Sequence, residues 1–455
     1  MWYLYGRMPS ECQNNGGGAI KMTISKEKGT NLGNTFKLLT GNHAAAHAFR
    51  QARVGVISAY PITPQSPVVE KVAEFIAKGE MDTKFVKVES EHSALAVCCA
   101  ASATGSRVGT ATASHGLMLM YEMLPWAAGN RLPVVLCLAT RAVGAPWSVW
   151  NDDSDFIAIR DTGWIQIMCE DNQEIYDTVL QAYKIAEDPR VFLPVCVGYS
   201  GYLLSHTIMP VKIENQEDVD EFLPPLRHHI NLSDLSIIKG VDPVTTPHIR
   251  DRGKEGIVPG YFEYRYSLQK ALENSVDIIK EIHDDFAKKF GRSYGNGLFK
   301  TFEADDADII IFAMGSVSAQ ARIAVNQLRK EGLKIGLVTL RVFRPFPAKM
   351  LRELLKEKSI IVVFDRNIGY GYEGVLCYEL KSALYGVKNA PYIKGYIVGL
   401  GGRDVKTSYI IEGIKRTITQ AETQEITHRT EFLGLRQDVL NEYDESEFFK
   451  GGENK

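Results

Sequence analysis

Residues 54–89, VGVISAYPITPQSPVVEKVAEFIAKGEMDTKFVKVE, carry the pattern that decides the fold. The apolar runs at 54–60 and 84–89 are typical of strands, and the amphipathic stretch at 66–80 is typical of a helix. The same alternation continues in four further strand-like runs, at 106–112, 132–139, 164–169 and 191–199. Near-continuous apolar strands separated by helices predict a parallel sheet that is covered on both faces, which is a doubly wound α/β fold.

The chain of 455 residues leaves room for two to three domains of about 150 residues each. A second α/β pattern begins near residue 305 and has strand-like runs at 307–315, 333–340, 359–365 and 393–400. Proline-rich and charged sequence separates the two patterns, followed by one long amphipathic stretch at 262–290. We therefore predict a disordered leader at 1–36, an α/β domain at 37–205, a linker with a connecting helix at 206–300, a second α/β domain at 301–420 and a polar surface tail at 421–455.

Charge and composition exclude several classes of protein. Lys plus Arg (52) nearly balance Asp plus Glu (55), so the net charge of −3 offers no basic excess for binding nucleic acid. No apolar run reaches the about 18–20 residues of a membrane span. The seven cysteines contain no C-x-x-C spacing, which argues against a disulfide scaffold, a zinc ribbon or an iron–sulfur cluster on this chain. We expect a reducing, cytoplasmic location, with Cys98 and Cys99 as buried apolar residues.

The first 22 residues, MWYLYGRMPSECQNNGGGAIKM, lack the basic segment and apolar core of a secretory signal. The three glycines at 16–18 are encoded by GG-rich codons and stand where a ribosome-binding site would precede Met22. We therefore expect Met22 to be the true start. A peptide from residues 1–20 in the mass spectrum of the native protein would contradict this expectation.

Ligands of parallel sheets bind beyond the carboxyl ends of the strands, and the sequence places polar residues there. Glu91 follows the second predicted strand and either stabilises the first turn of a helix or serves a bound cofactor. Arg141 follows the fourth strand and is either a clamp for a carboxylate or half of a surface ion pair. Thr63 lies between two prolines that restrict the backbone, so it either positions a substrate or is a turn residue.

Two other motifs match known sites only in part. Residues 369–374, GYGYEG, match G-x-G-x-x-G after a predicted strand, but the next strand, KGYIVGL, does not end in an acidic residue that could hold a ribose. Ser114 lies between a strand and a helix like a nucleophile elbow, but Thr112 occupies the first glycine position of G-x-S-x-G. We expect neither a dinucleotide site nor a serine hydrolase.

Several motifs, taken in their order, are similar to one known family. They resemble the α subunit of the 2-oxoacid:ferredoxin oxidoreductases, in the pyruvate:ferredoxin oxidoreductase form with separate subunits, over about residues 37–420. The matching stretches are YPITPQSPVVE (60–70), VESEHSALAV (88–97), TATASHGL (110–117), ATRAVGAPWSVWNDDSD (139–155), RDTGWIQ (160–166), VDEFLPP (219–225), GRSYG (291–295), RVFRPFP (341–347) and GLGGRDV (399–405).

The resemblance implies CoA-dependent oxidative decarboxylation of a 2-oxoacid, with pyruvate as the leading substrate and thiamine diphosphate as the cofactor. It implies a pyrimidine-binding first domain and a second domain like the C-terminal domain of transketolase. The β subunit of the family supplies the diphosphate and Mg²⁺ site, and [4Fe-4S] clusters on partner subunits of the β, γ and δ type pass electrons to ferredoxin. The sequence is consistent with a diphosphate and Mg²⁺ site on another subunit, because the tripeptide Gly-Asp-Gly that begins a thiamine diphosphate–Mg²⁺ motif occurs nowhere in it.

The resemblance also implies roles for individual residues. Glu91 matches the cofactor-activating glutamate of the family, whose protonated carboxyl hydrogen-bonds the pyrimidine ring. Thr63 and Arg141 match residues that hold the carboxylate of the substrate, and such placement orients the scissile bond. Ser114 and Gly116 would line the cofactor pocket. His115 stands where the family often has Gln, and the GLGGRDV stretch belongs either to an interface or to the packing of the second domain.

Several alternatives stay open at this point. Phenylglyoxylate, other aryl or branched 2-oxoacids, 2-oxoglutarate and oxalate are used by related α subunits, and a flavin subunit could pass the electrons to NAD instead of ferredoxin. Transketolase and the 2-oxoacid dehydrogenases share the fold but not the motif series. The alternative of another class is a structural subunit that only completes the site of a neighbour, and the presence of Glu91, Thr63 and Arg141 argues against it.

Overall fold

The helices and strands of the first half of the chain follow the alternation that the sequence predicts. A computed structural model describes residues 36–226, 250–251, 257–258, 260–423 and 430–442. The elements up to residue 222 are, in order, β1 (Phe36–Leu39), α1 (Gly41–Gln51), β2 (Val56–Ala59), α2 (Ser66–Ala77), β3 (Lys84–Lys87), α3 (Glu91–Ala103), β4 (Val108–Thr112), α4 (Ser114–Leu119), α5 (Met123–Gly129), β5 (Val134–Thr140), α6 (Ser154–Ala158), β6 (Ile165–Met168), α7 (Asn172–Glu187), β7 (Val195–Ser200), β8 (Met209–Lys212) and α8 (Gln216–Phe222).

The second half contains a long connecting helix and a second alternating series. Its elements are β9 (Arg250–Asp251), β10 (Ile257–Val258), α9 (Tyr261–Phe290), β11 (Phe299–Phe302), β12 (Ile309–Met314), α10 (Val317–Lys330), β13 (Ile335–Leu340), β14 (Val342–Arg344), α11 (Ala348–Leu355), β15 (Ile360–Asp365), α12 (Val375–Leu384), β16 (Tyr392–Ile397), a short 3₁₀ helix (Leu400–Gly402), α13 (Thr407–Glu422), β17 (Glu431–Phe432) and α14 (Gln437–Glu442). The long amphipathic stretch at 262–290 forms the single helix α9.

The first sheet has seven strands in the order β14-β6-β7-β5-β4-β2-β3. The six strands that the sequence predicts in this region are all present, and they pair in parallel. β5 lies near the centre and is buried along its whole length, which explains its unbroken apolar sequence VVLCLAT. The doubly wound parallel fold is therefore confirmed for this sheet.

The second sheet has six strands in the order β11-β13-β12-β15-β16-β17. The four predicted strands of this region are β12, β13, β15 and β16, and they are parallel to one another. The sequence did not predict β11, which pairs antiparallel with β13. Nor did it predict β14, which lies in this part of the sequence but pairs antiparallel with β6 at the edge of the first sheet.

Small residues make close packing possible in the core of the first sheet. In α1, Ala44, Ala45, Ala46 and Ala48 are all fully buried, and the helix packs against α2 and α7. The expectation for Cys98 and Cys99 is confirmed, because both are free thiols in the buried face of α3. Burial raises the pKa of each of these thiols to about 12, so they are protonated at neutral pH and act as small apolar groups.

Buried ion pairs join helix α7 to the segments that flank the second sheet. Arg341 donates to Glu174 Oε1 at 2.7 Å, to Thr178 Oγ1 at 2.7 Å and to the carbonyl of Gly297 at 2.8 Å. Arg292, in the GRSYG motif, holds both carboxylate oxygens of Asp177 at 2.7 Å. These bidentate and charge-assisted bonds provide partners for the buried charges. The RVFRPFP motif, through Arg341, and the GRSYG motif, through Arg292, therefore hold helix α7 against the rest of the protein.

Two parts of the predicted organisation need comment. The tail predicted at 421–455 is wrong as a purely surface-running segment, because β17 pairs with β16 and Leu433 is buried. An ion pair of 2.7 Å between Lys394 and Glu431 fastens this addition to the sheet. The predicted leader falls on residues 1–35, which lie outside the described part of the chain, and so does Met22. The domain boundaries at 205 and 300 stay a prediction.

Candidate active site

The candidate residues gather at the carboxyl edge of the first sheet. β3 lies on one side of β2 and β4 lies on the other. The connection after β2 runs to β3 and the connection after β4 runs to β5, so the two diverge and leave a crevice between β2 and β4. Thr63 follows β2, Glu91 follows β3, and Ser114 and Gly116 follow β4. Arg141 follows β5, the next strand across the sheet. The edge therefore collects every residue to which the sequence assigns a role.

Glu91 is the first residue of α3, and it is 7% exposed. The preceding Ser90 caps the helix, since its hydroxyl accepts from the amide of Ser93 at 3.2 Å. Glu91 is therefore not needed as the cap, and its carboxylate makes no hydrogen bond to a described residue. A buried carboxylate at a helix amino terminus, left free by its own helix, is available to a ligand.

Gly116 closes against Glu91 because it has no side chain. A Cβ atom placed on Gly116 would lie 2.6 Å from Glu91 Oε1 and would also collide with Thr112 Oγ1. The hydroxyl of Thr112 is buried without a hydrogen-bond partner among the described residues. These three residues form a closely packed polar cluster in which the carboxylate and the hydroxyl have no partner among the described residues, and such unpaired groups are compatible with contact to a nitrogen heterocycle such as a pyrimidine.

Arg141 and Thr63 are in direct contact. Arg141 is 7% exposed. Its Nη1 donates to the carbonyl of Thr63 at 3.0 Å, and its Nε donates to the carbonyl of Ser148 at 2.9 Å. Its Nη2 makes no hydrogen bond, and no carboxylate of the described residues lies within 4.0 Å of the guanidinium. A buried guanidinium without an ion pair is costly, so Arg141 is available to a carboxylate ligand, and among the described residues the structure shows no surface ion pair for it.

Ser114 has a left-handed backbone with φ of 48°, which is uncommon for a residue other than glycine. Its amide donates to Asp155 Oδ2 at 2.7 Å, and its hydroxyl donates to the carbonyl of Ala142 at 2.5 Å. The Nδ1 of His115 lies 3.1 Å from the same hydroxyl. With its hydroxyl bonded to a main-chain carbonyl, Ser114 is a structural part of the pocket wall.

His115 supports the loop that follows β5. Its Nε2 accepts from the amide of Gly144 at 3.1 Å, and its ring lies against that of Trp147 with a centroid distance of 4.5 Å. Burial lowers the pKa of His115, and the charge of Arg141 lowers it further. The imidazole is therefore neutral at physiological pH, in agreement with its acceptor role.

Asp155 is a residue whose importance the sequence reasoning missed. It is fully buried, and its Oδ2 accepts from the amides of Ser114 and Arg141 at 2.7 and 3.0 Å, while Oδ1 accepts from Phe156 at 2.8 Å. Burial raises the pKa of Asp155 well above its usual value, although these amides oppose the shift. One carboxyl thus ties together the loops after β4 and β5. The cluster of acidic residues in NDDSD was the signal that could have revealed it.

The GLGGRDV stretch contacts the loop after β5. The amide of Gly402 donates to the carbonyl of Asn151 at 2.7 Å, and the amide of Gly401 donates to Asp152 Oδ2 at 3.1 Å. A Cβ on Gly402 would collide with the side chain of Trp150. The motif therefore lies between the part of the chain that carries the second sheet and the loop that follows Arg141. This position agrees with the interface alternative given in the sequence analysis.

The rejected dinucleotide motif at 369–374 has a structural explanation. The carboxylate of Asp365 accepts from the amides of Leu376 and Cys377 at 2.8 and 3.1 Å, at the amino end of α12. A Cβ on Gly374 would collide with this carboxylate. A protein carboxylate thus occupies the position that a pyrophosphate takes in a dinucleotide fold.

Comparison with known proteins assigns the chain to a family. The family described as pyruvate flavodoxin/ferredoxin oxidoreductase, thiamine diphosphate-binding, matches residues 47–284, which is more than half of the chain. Pyruvate:ferredoxin oxidoreductase core domain II matches residues 307–410. The chain is an α-type subunit of the 2-oxoacid:ferredoxin oxidoreductase family. As such, it is a subunit of a multi-subunit 2-oxoacid oxidoreductase, and its first matched region is of the thiamine diphosphate-binding type.

Relatives of this α-type subunit carry two substrate names. It is 48% identical to the ketoisovalerate oxidoreductase subunit VorA of Pyrococcus horikoshii over 81% of this chain and 90% of that protein. It is 46% identical to the pyruvate synthase subunit PorA of Methanocaldococcus jannaschii over 88% of this chain and 98% of that protein.

Among solved structures, the fold is similar to that of a 2-oxoglutarate:ferredoxin oxidoreductase from Magnetococcus marinus. The TM-score is 0.62 and the identity is 20%, over 85% of this chain and 66% of that chain. Within the described residues, no helix is long and apolar enough to cross a membrane. No group of three or more His, Cys, Asp and Glu side chains is placed to bind a metal ion in the same part of the chain.

Proposed function

We propose that this α-type subunit binds the pyrimidine half of thiamine diphosphate with Glu91 and the carboxylate of a 2-oxoacid with Arg141. The observation that carries the proposal is the guanidinium of Arg141, which is buried without an ion pair. It lies at the same sheet edge as the pocket of Glu91, Thr112 and Gly116. When bound, thiamine diphosphate supplies the electron sink for loss of CO₂.

Glu91 is the residue of this chain that would hold the ring of the cofactor. Its side chain is buried and makes no hydrogen bond to a described residue, so its carboxyl is available to bond a ring nitrogen and to exchange a proton with it. Gly116 leaves room for this exchange, and the buried hydroxyl of Thr112 offers a second polar contact. Ser114 lines the same pocket and is fixed in place by Asp155.

Arg141 and Thr63 position the substrate. The two hydrogen bonds from Arg141 to main-chain carbonyls fix the guanidinium plane, and its remaining nitrogen is free to meet a carboxylate. The side chain of Thr63 is exposed beside it and can donate to the same group. A carboxylate held in this way orients the bond that breaks, which lowers the entropic part of the barrier.

Pyruvate is the substrate that we propose, and a branched-chain 2-oxoacid is the second candidate. The names of the relatives support both, since pyruvate synthase and ketoisovalerate oxidoreductase subunits are 46% and 48% identical to the chain. The electron acceptor that we propose is ferredoxin, reached through [4Fe-4S] clusters on partner subunits. A flavin subunit that reduces NAD is the alternative acceptor.

A β-type subunit would complete the site with the diphosphate and Mg²⁺ contacts, and γ- and δ-type subunits would carry the clusters. Two observations support this division. The chain contains neither Gly-Asp-Gly nor a C-x-x-C spacing. Large aromatic side chains of the loop that follows Arg141 are exposed, namely Trp147 and Trp150. Exposed tryptophans are enriched where proteins meet partners.

The decisive experiment compares Glu91→Gln with Glu89→Gln in the complex reconstituted from all subunits. Glu89 is two residues away and exposed, and its carboxylate accepts only from Ser93 Oγ at 2.6 Å. We expect Glu91→Gln to abolish 2-oxoacid-dependent reduction of a viologen while the complex still assembles. Glu89→Gln should retain wild-type turnover. Near-normal turnover of Glu91→Gln would refute the proposed role and favour the structural-subunit alternative.

A further inference from the structure

A second crevice lies at the carboxyl edge of the second sheet. β13 lies on one side of β12 and β15 lies on the other, so this sheet also has a point at which the chain connections diverge. A cavity of about 540 Å³ opens there, between residues that follow β12, β15 and β16 and residues that follow β5 and β7 of the first sheet. The volume lies within the about 300–1,000 Å³ that is usual for small-molecule sites.

Arg366 is the polar centre of this cavity. It is the first residue after β15, it lines the cavity, and it is 8% exposed. Its Nε donates to the carbonyl of Gly399 at 3.2 Å and its Nη1 donates to Ser316 Oγ at 3.0 Å. Its Nη2 makes no hydrogen bond, and no carboxylate within the described ranges lies within 4.0 Å of the guanidinium. A buried cation that keeps one donor free indicates an anionic ligand.

The counter-charge nearest to Arg366 compensates it only in part. Burial raises the pKa of Asp153 to about 7, although the charge of Arg366 opposes the shift. Asp153 is therefore only partly ionised near neutral pH. Asp152 is a second carboxylate in this electrostatic environment, but among the described residues neither Asp152 nor Asp153 hydrogen-bonds the guanidinium.

The amino end of helix α10 faces the same cavity through Ser316 and Val317. The hydroxyl of Ser316 caps no amide of the helix, and the first turn contains no acidic residue. Helix α12 differs, since Asp365 already fills its amino end. The amides of Ser318 and Ala319 donate to the carbonyls of Gly315 and Ser316, so this helix of 14 residues contributes the positive end of its dipole beside Arg366.

The remaining wall limits the charge of the ligand. Most of it is apolar, with Leu203, Leu204, Met209, Val317 and Val405. Two carboxylates and a second arginine also line the cavity, namely Glu170, which is paired with Lys300 and Arg322, Asp404 and Arg403. The carboxylates offset the charge of the second arginine, so a ligand with a single negative charge matches the cavity better than a multiply charged anion such as a phosphate.

We propose that this cavity binds a monocarboxylic acid with an apolar body, whose carboxylate is held by Arg366 and the amino end of α10. The site is separate from the one assigned to the 2-oxoacid, because it uses a different arginine at the edge of a different sheet. It spans residues of both sheets, so the bound acid would contact both. The same geometry offers the apolar body the side chains of Leu203 and Val405.

The test is calorimetric titration of the full chain in its complex with 4-methylpentanoate, an acid that lacks the 2-oxo group and cannot turn over. The Arg141→Gln complex serves as the reference, since it removes the carboxylate clamp of the first site. We expect this reference to bind one equivalent per chain and the double variant Arg141→Gln/Arg366→Gln to bind none. Inorganic phosphate is titrated in parallel and should not bind at the same concentrations.

A second pair of variants keeps the test informative if replacement of Arg366 prevents folding. Gln320→Glu brings a charge to the cavity wall and keeps the acceptor that bonds Thr407 Oγ1 at 2.8 Å. Gln327→Glu makes the same change on an exposed position of the same helix, about 10 Å away. We expect Gln320→Glu to weaken binding by about tenfold or more, and Gln327→Glu to leave it unchanged.

Three results would overturn the proposal. The first is equal affinity in the Arg141→Gln reference and the double variant. The second is loss of all binding in Arg141→Gln, which would show that the acid enters only the 2-oxoacid site. The third is binding of phosphate in place of the acid, which would assign the cavity to a different anion.

Discussion

The carboxyl edges of the two sheets each hold a buried arginine directly after a strand, and both differ from the other buried arginines of the protein. Arg141 and Arg366 bond only to neutral acceptors and keep one nitrogen free. Arg341 and Arg107, by contrast, are paired with the carboxylates of Glu174 and Glu187. Burial of an arginine therefore does not by itself mark a ligand site in this protein. The feature on which we base both proposed sites is the lack of a carboxylate partner.

The largest effect should come from breaking a paired arginine. Arg341→Ala removes one of the two cationic partners of the buried Glu174 and leaves only Lys300, so we expect the free energy of unfolding to fall by up to about 3–5 kcal/mol. Arg190→Ala is the matched control, because Arg190 is exposed and pairs with Asp188 and Glu281 at the surface. That change should cost about 1 kcal/mol or less. Chemical unfolding of the full chain measures both, and equal losses would contradict the contrast between buried and exposed pairs.

The next effect concerns the unpaired arginine of the first edge. Arg141→Gln removes a charged contact to the substrate carboxylate, and we expect KM for the 2-oxoacid to rise by the equivalent of about 2–4 kcal/mol. Arg160→Gln is the control in the same segment, since Arg160 is half-buried and lies 3.5 Å from Asp161. Steady-state kinetics of the complex decides the matter. An unchanged KM for Arg141→Gln would remove that residue from the site.

A smaller effect should follow from filling the gap at Gly116. Gly116→Ala places a methyl group against Thr112 and Glu91, so we expect a loss of about 1–3 kcal/mol in stability together with reduced turnover. Gly129→Ala is the control, since a Cβ there meets no atom within 4 Å and the residue is helical. It should be neutral or slightly stabilising. Wild-type turnover of Gly116→Ala would show that the close approach to Glu91 is not needed.

The last effect is gradual and small at any one pH step, a pH dependence of stability that arises between the two edges. Burial raises the pKa of Asp153 from 3.8 to about 7. Between these values the folded protein keeps a proton that the unfolded chain has released, so stability falls as the pH rises, by at most about 1.4 kcal/mol per pH unit. Asp153→Asn should flatten this slope in unfolding curves measured from pH 4 to 7. The exposed Asp161→Asn should leave the slope unchanged, and an equal slope in both variants would count against Asp153.

The sequence predicted much of the fold because a parallel sheet that is buried on both faces needs unbroken apolar strands. The six strands of the first series and the four of the second were recognisable for that reason. β14 and β17 were not, because short strands at sheet edges pair through the backbone and carry no apolar period. The pairing of β14 with β6 could not be predicted either, because the two strands are about 175 positions apart in the sequence.

The sequence likewise predicted only a part of the candidate site. It placed Thr63, Glu91 and Arg141 after three of the predicted strands, and the resemblance gave these residues roles, since the order of motifs can be read from the sequence. Only the tertiary structure brought the carboxyl of Asp155 onto the amides of Ser114 and Arg141, and only it left Arg141 and Arg366 without ion pairs. A pattern of residues fixes where strands begin and end, but the partners of a buried charge depend on distances between segments that are far apart in the chain.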